Sequence, residues 1–194
     1  VTLNRVNHLK KCIESLSKNT GAEKTEVYIS VDYPPNEKYE SGYLKVVEYL
    51  KNAKELLRFK KVHIFYQKKN LGVSENILFV KNIVKKTYET YIFTEDDNEF
   101  SVNFLEYVNK GLQKYNKSKF ILAINGMSDT KWYEMDNNVT GSKLFPAYGF
   151  GTWFKKEEIF KKELQQTLMD SNTWKLKTII KFFKRNKFTC SQYI

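Results

Sequence analysis

The sequence predicts an α/β fold, a mostly parallel central sheet with helices on both faces. Three observations lead there. Short apolar runs alternate with segments of helical periodicity from Leu3 to Ile124. The chain has 194 residues, 41% of them apolar, a normal length for one domain with a real core. Three of the strand ends carry polar residues, and in parallel sheets the carboxyl ends of the strands form the ligand-binding edge.

Taken in order, Val1-Thr2-Leu3 reads as the end of a strand, so further residues are expected before it. Leu9, Cys12, Ile13 and Leu16 follow helical spacing and predict a helix over 7–18. Val27, Ile29 and Val31 alternate in a strand that stops at Asp32, ahead of the turn Tyr33-Pro34-Pro35-Asn36. Tyr43, Val47, Leu50, Ala53 and Leu57 mark a second helix, and Val62, Ile64 and Tyr66 a second complete strand. After the turn Asn70-Leu71-Gly72, a third helix carries Val73, Ile77, Val80 and Val84. Tyr91-Ile92-Phe93-Thr94 reads as a buried strand running into Glu95-Asp96-Asp97. Ser101 is a plausible N-cap for a helix with Leu105, Val108, Leu112 and Tyr115, and Phe120–Ile124 is another strand. Residues 125–153 read as a long loop, of the kind that is usually functional. A helix over Phe160, Leu164, Thr167 and Leu168 follows, then a basic tail. The expected organisation is one domain over 1–170 and a tail over 171–194.

The net charge is +11, which suggests an anionic partner without choosing among nucleic acid, membrane and phosphorylated substrate. Much of the excess lies in the tail, where Lys175, Lys177, Lys181, Lys184, Arg185 and Lys187 meet no acid. Leu176, Ile179, Ile180 and Phe183 share one helical face there. Such a helix either lies on an anionic membrane surface or packs on the domain. Two cysteines make no disulfide framework, which favours a reducing, cytoplasmic setting, peripheral to the membrane if the tail binds it. No apolar run approaches the roughly 18 residues needed to span a bilayer.

Glu95-Asp96-Asp97 is the sharpest chemical feature. Three adjacent carboxylates repel each other, and at the end of a buried strand they call for a cation. Mg²⁺ and Mn²⁺ prefer such oxygens and bridge them to substrate phosphates. A solvated acidic turn is the plainer alternative.

Four segments carry a resemblance. Thr2-Leu3-Asn4-Arg5, with His8-Leu9-Lys10-Lys11 and Glu14-Ser15-Leu16, resembles the opening of family 2-like bacterial glycosyltransferases, which share the glycosyltransferase A fold. Asn70-Leu71-Gly72-Val73 with Asn76 resembles their turn and helix start. Glu95–Ser101 with Phe104-Leu105-Glu106-Tyr107 resembles the metal-binding motif of the N-acetylglucosaminyltransferase I type. Phe145-Pro146 with Gly149–Trp153 resembles the acceptor-side loop of both.

The resemblance implies an inverting, metal-dependent transferase, using a nucleotide-diphosphate sugar, UDP-linked for preference, and a glycan or lipid-linked acceptor in surface polysaccharide synthesis. Asp97 would bind Mn²⁺ or Mg²⁺ at the diphosphate, and Glu95 and Asp96 would contact ribose or sugar hydroxyls. Arg5 and Asp32 would hold the nucleobase end, though Arg5 also reads as a surface charge and Asp32 as a turn former. Thr2, Asn4, Asn70, Gly72 and Asn76 would line the donor site. Asn70 and Gly72 also read as builders of the turn, and Asn76 as a solvated helix residue. Trp153 is the best aromatic for stacking on a sugar. An inverting enzyme also needs a general base. Asp170 is the nominee by its spacing after Pro146, similar to that of the base in the N-acetylglucosaminyltransferase I type, yet it stands alone where the family has adjacent acids, and it reads more readily as a helix end with no role.

Two other functions compete. A sugar-nucleotide pyrophosphorylase would want a glycine-rich phosphate loop, and Thr2–Leu9 contains no Gly. A nucleic-acid-binding module would explain the charge but not the acids. The expected partners are therefore a nucleotide sugar, a saccharide acceptor and an anionic membrane surface, with no nucleic acid.

Overall fold

A computed structural model describes residues 1–53, 57–126, 140–142, 145, 147–169 and 189–192. They group into two compact units, Val1–Tyr88 with Thr94–Tyr107, and Glu89–Phe93 with Val108–Ile194.

In the first unit, helix α1 (Val6–Ser17) buries Leu9, Cys12, Ile13 and Leu16, the stripe its periodicity predicts. Strands β1 (Glu26–Val31) and β2 (Lys61–Tyr66) pair in parallel, with Val27 opposite Val62 and Ile29 opposite Ile64. Successive side chains on a strand face opposite ways. One face of the pair therefore carries Ile29, Val31 and Val62, which form one core with Leu9 and Ile13 of α1 and with Val46 and Leu50 of α2 (Glu40–Ala53). The other face carries Ser30 and Phe65, and meets α3 (Gly72–Val84). There Phe79 touches Phe65 edge-on at 5.8 Å between ring centres, and Asn76 takes the hydroxyl of Ser30. Thr2 adds a parallel bridge to Val31.

The second unit holds a five-stranded sheet in the order β3 (Thr90–Phe93), β6 (Phe150–Trp153), β4 (Ile121–Asn125), β7 (Thr189–Gln192), β5 (Thr140–Ser142). Strand β6 runs antiparallel to β3 and β4, β7 runs parallel to β4, and β5 antiparallel to β7. Helix α4 (Phe104–Lys114) leads from the first unit into β4, and α5 (Phe154–Met169) follows β6 directly.

The α/β class therefore holds, but the described strands do not make one mostly parallel central sheet. Part of the difference comes from 125–153, expected as a loop, which contributes β5 and β6, and part from 171–194, expected as a tail, which contributes β7 to the same sheet. Gly149 and Gly151 made β6 look like loop, since glycine weakens strands. Gly151 is nonetheless needed in the strand, because a Cβ there would collide with the side chain of Val108 on α4. Among the described residues no helix is long and apolar enough to cross a membrane. Asp170, Pro146 and the basic stretch 174–188 lie outside the described residues.

Candidate functional site

The predicted residues of the first unit meet at the carboxyl end of β1. The amide of Thr2 donates to Ser30 O (3.0 Å) and Thr2 O accepts from Asp32 N (2.9 Å), which fixes Thr2 beside the last turn of that strand. From there its hydroxyl donates to Asp96 Oδ2 at 2.6 Å, a buried contact. Arg5 stands just before α1, so its guanidinium projects from the helix start. Its Nη2 pairs with Asp96 Oδ1, and its Nη1 donates to Asp97 Oδ2 at 3.1 Å. One guanidinium thus bridges two adjacent carboxylates, a task for which its rigid fork is suited.

The two acids differ in exposure. Asp96 is 4% exposed and Asp97 38%, while Arg5 is 46% exposed. Burial acts to lower the pKa of Arg5, but Asp96 first and Asp97 second outweigh it and hold the guanidinium above its ordinary value. Glu95 is exposed. Both oxygens of Asp96 are engaged by Thr2 and Arg5. Among the described residues, Oδ1 of Asp97 has no hydrogen-bond partner.

Helix α1 and the residue after its C-cap hold the acidic segment and the residues that follow it at three points that sequence reasoning missed. The Cys12 thiol donates to Glu95 O at 3.5 Å, and burial pushes that thiol up to about 12. Ser15 Oγ accepts from Phe100 N at 3.1 Å, and Asn19 Oδ1 accepts from Leu105 N at 2.9 Å. The signal was slight: Ser15 and Asn19 are small polar residues four apart, one in the last turn of the helix and one just past it.

Asp32 is 5% exposed, and its carboxylate is committed within the fold. Oδ1 accepts from Tyr33 N (2.9 Å) and Leu71 N (2.8 Å); Oδ2 accepts from Gly72 N (2.9 Å) and Asn70 Nδ2 (3.4 Å). It caps α3 from just past the end of β1, where the helix dipole favours an anion. Asn70 also donates to Tyr33 O at 2.7 Å, and Gly72 adopts φ 75°, so these two residues build the turn. Asn76 is 2% exposed, tied to Ser30, and neither solvated nor open to a ligand. Asn4 is half-buried, with Gly42 of α2 packed against its backbone.

Trp153 lies in the second unit, 5% exposed, with Lys156 Nζ 3.4 Å above its ring centre. A ring so covered is packing, not an open platform for a sugar. A cavity of about 390 Å³ in the first unit is lined by Lys10, Glu14, Ser17, Lys18, Tyr49, Asn52, Ala53, Leu57 and Arg58, none of them a predicted site residue. Glu95, Asp97 and Arg5 are instead exposed, with Asp96 buried beneath them.

Among the described residues no three His, Cys, Asp or Glu side chains are grouped to hold a metal ion. Mg²⁺ and Mn²⁺ are commonly held by one or two carboxylates while phosphate and water supply the remaining oxygens. Asp97, part-exposed with one oxygen open, fits that pattern. No protein-family model and no curated protein matches this chain.

Proposed function

We propose that this chain is the sugar-nucleotide-binding core of an inverting, metal-dependent glycosyltransferase of the glycosyltransferase A fold. Its donor would be a nucleotide-diphosphate sugar, UDP-linked for preference, and its acceptor a glycan or lipid-linked hydroxyl. The observation that carries this reading is the convergence of Thr2, Arg5, Asp96 and Asp97 at the carboxyl end of a parallel strand pair. Open α/β sheets bind ligands at that edge. The helices on the two faces of the β1–β2 pair add support for the fold.

On this reading Asp97 holds the divalent cation, which when bound would stabilise charge on the departing diphosphate. Arg5 supplies a fixed positive group for phosphate oxygens. Asp96 and Thr2 aim Arg5 rather than touch the donor. Asp32, Asn70, Gly72 and Asn76 build the edge. The nominee for the base that takes the acceptor proton stays Asp170, which lies outside the described residues. The basic stretch 174–188 would hold the protein to an anionic membrane face.

Calorimetric titration of UDP, with and without Mn²⁺, tests the reading, with a single-stranded oligonucleotide as a parallel arm. Mn²⁺ should tighten UDP binding to the wild type, and Asp97→Asn should abolish that gain. The exposed pair it breaks is worth under about 1 kcal/mol, so the variant stays folded. Metal-independent UDP binding, or oligonucleotide binding in its place, defeats the proposal.

A further inference from the structure

We infer that Arg5 is a resident counter-ion that keeps a divalent cation off Asp97 until a diphosphate draws the guanidinium away. The inference rests on the proposed reading for the identity of the diphosphate, but its central claim concerns only Arg5, Asp97 and a metal ion.

The geometry separates the two contacts of Arg5. Its pair with Asp96 is anchored, because that carboxylate is 4% exposed and its other oxygen is fixed by Thr2 at 2.6 Å. A buried carboxylate stripped of its cation is costly, so Arg5 stays with Asp96. Its pair with Asp97 is the loose one: 3.1 Å, with Asp97 38% exposed and Arg5 46% exposed. Water reaches both partners there, and exposed pairs are weak. A small rotation of the guanidinium about the Asp96 contact would release Asp97 Oδ2 and leave Nη1 free for an incoming phosphate oxygen.

Two cations cannot share Asp97 at short range without repelling each other. Metal alone therefore competes with Arg5, whereas metal with a diphosphate does not, because the phosphate charge takes over Arg5. Cooperativity between metal and nucleotide then arises from a charge exchange built into the chain, beyond the coordination bonds themselves.

The test counts free Mn²⁺ by electron paramagnetic resonance in protein solutions without nucleotide. Wild type, Arg5→Lys, Arg5→Gln and the double variant Arg5→Gln/Asp97→Asn are compared. Arg5→Gln should bind Mn²⁺ about tenfold tighter than wild type, the lower end of what one unit charge at about 4–6 Å does to a neighbour. Arg5→Lys keeps the charge that Asp96 needs but cannot bridge both acids, so it should fold even if Arg5→Gln does not, and should gain a smaller but measurable amount. The double variant should lose the gain. If neither single variant binds Mn²⁺ tighter than wild type, or the gain survives Asp97→Asn, the inference is overturned. Wild-type titration with UDP and Mn²⁺ reports separately on the glycosyltransferase reading, so either can fail alone.

Discussion

Replacing Asp32 should act first on stability and only secondarily on ligand binding. Asp32→Ala removes an acceptor from the amides of Tyr33, Leu71 and Gly72, at 2.9, 2.8 and 2.9 Å. Losing an N-cap costs about 1 kcal/mol, and hydrogen bonds to a charged acceptor contribute about 1.5–3 kcal/mol each when fully shielded. Leu71 and Gly72 are half-exposed, so water recovers part of the loss. The net cost is then about 2–3 kcal/mol. For a chain of 194 residues that lowers Tm by about 5–10 °C. Asp32→Asn keeps the Oδ1 contacts but turns an amide donor toward Gly72 N, so about half the loss is expected. Scanning calorimetry reads both shifts. In the folded Asn variant, UDP affinity should stay within about threefold, under 1 kcal/mol. An unchanged Tm with UDP binding abolished would show that Asp32 faces the ligand, and would refute the capping argument.

Two further outcomes follow from the same unit. Glu26 accepts from His63 and Lys60, each at 3.0 Å, and His63 first and Lys60 second hold its carboxyl down to about 2 from an ordinary 4.5. A folded value below the unfolded one means stabilisation that is present above about pH 4.5 and lost as pH falls toward 2. The Tm gap between wild type and Glu26→Gln should close over that window; a gap constant from pH 5 to 2 counts against the linkage. Gly42→Ala in α2 should destabilise by about 1–3 kcal/mol although alanine favours helices, because its Cβ would lie 2.5 Å from the carbonyl oxygen of Asn4. A higher Tm, as helix propensity alone predicts, overturns this.

The helices were legible because each carries its own periodic stripe; Leu9, Cys12, Ile13 and Leu16 specify α1 without help from the rest of the chain. What was not legible depends on partners distant in sequence. Strand β6 is specified by α4, whose Val108 leaves no room for a side chain at Gly151. Trp153 read as a loop aromatic because the loop was taken to reach it; it ends β6, and its ring face is closed by Lys156 one turn into α5. Asp32 was open between ligand and turn, and the amides that decide its surroundings lie at Leu71 and Gly72, behind a whole helix and strand. Asn76 shows the same limit, since its partner Ser30 belongs to β1. Periodicity reports which face is apolar; it does not report which polar group meets which.

The acidic triplet shows how such a reading shifts once partners are visible. Three adjacent carboxylates call for a cation or for solvent, and the sequence alone offers only a metal as the cation. Part of that demand is met from within the chain, by Arg5 on Asp96 and Asp97. Asp96, being buried, has its charge neutralised and both oxygens engaged, so it makes no further claim on a metal. Glu95 points its need at solvent. What remains is the open oxygen of Asp97, a weak site by itself. A weak site is what a donor-dependent metal requires: a cation bound tightly in advance would owe little to the nucleotide, whereas one held by a single contested carboxylate binds when a diphosphate both supplies oxygens and occupies Arg5. The pairing of Arg5 with Asp96 and Asp97 would therefore set how strongly, and in what company, a metal ion could bind at this segment.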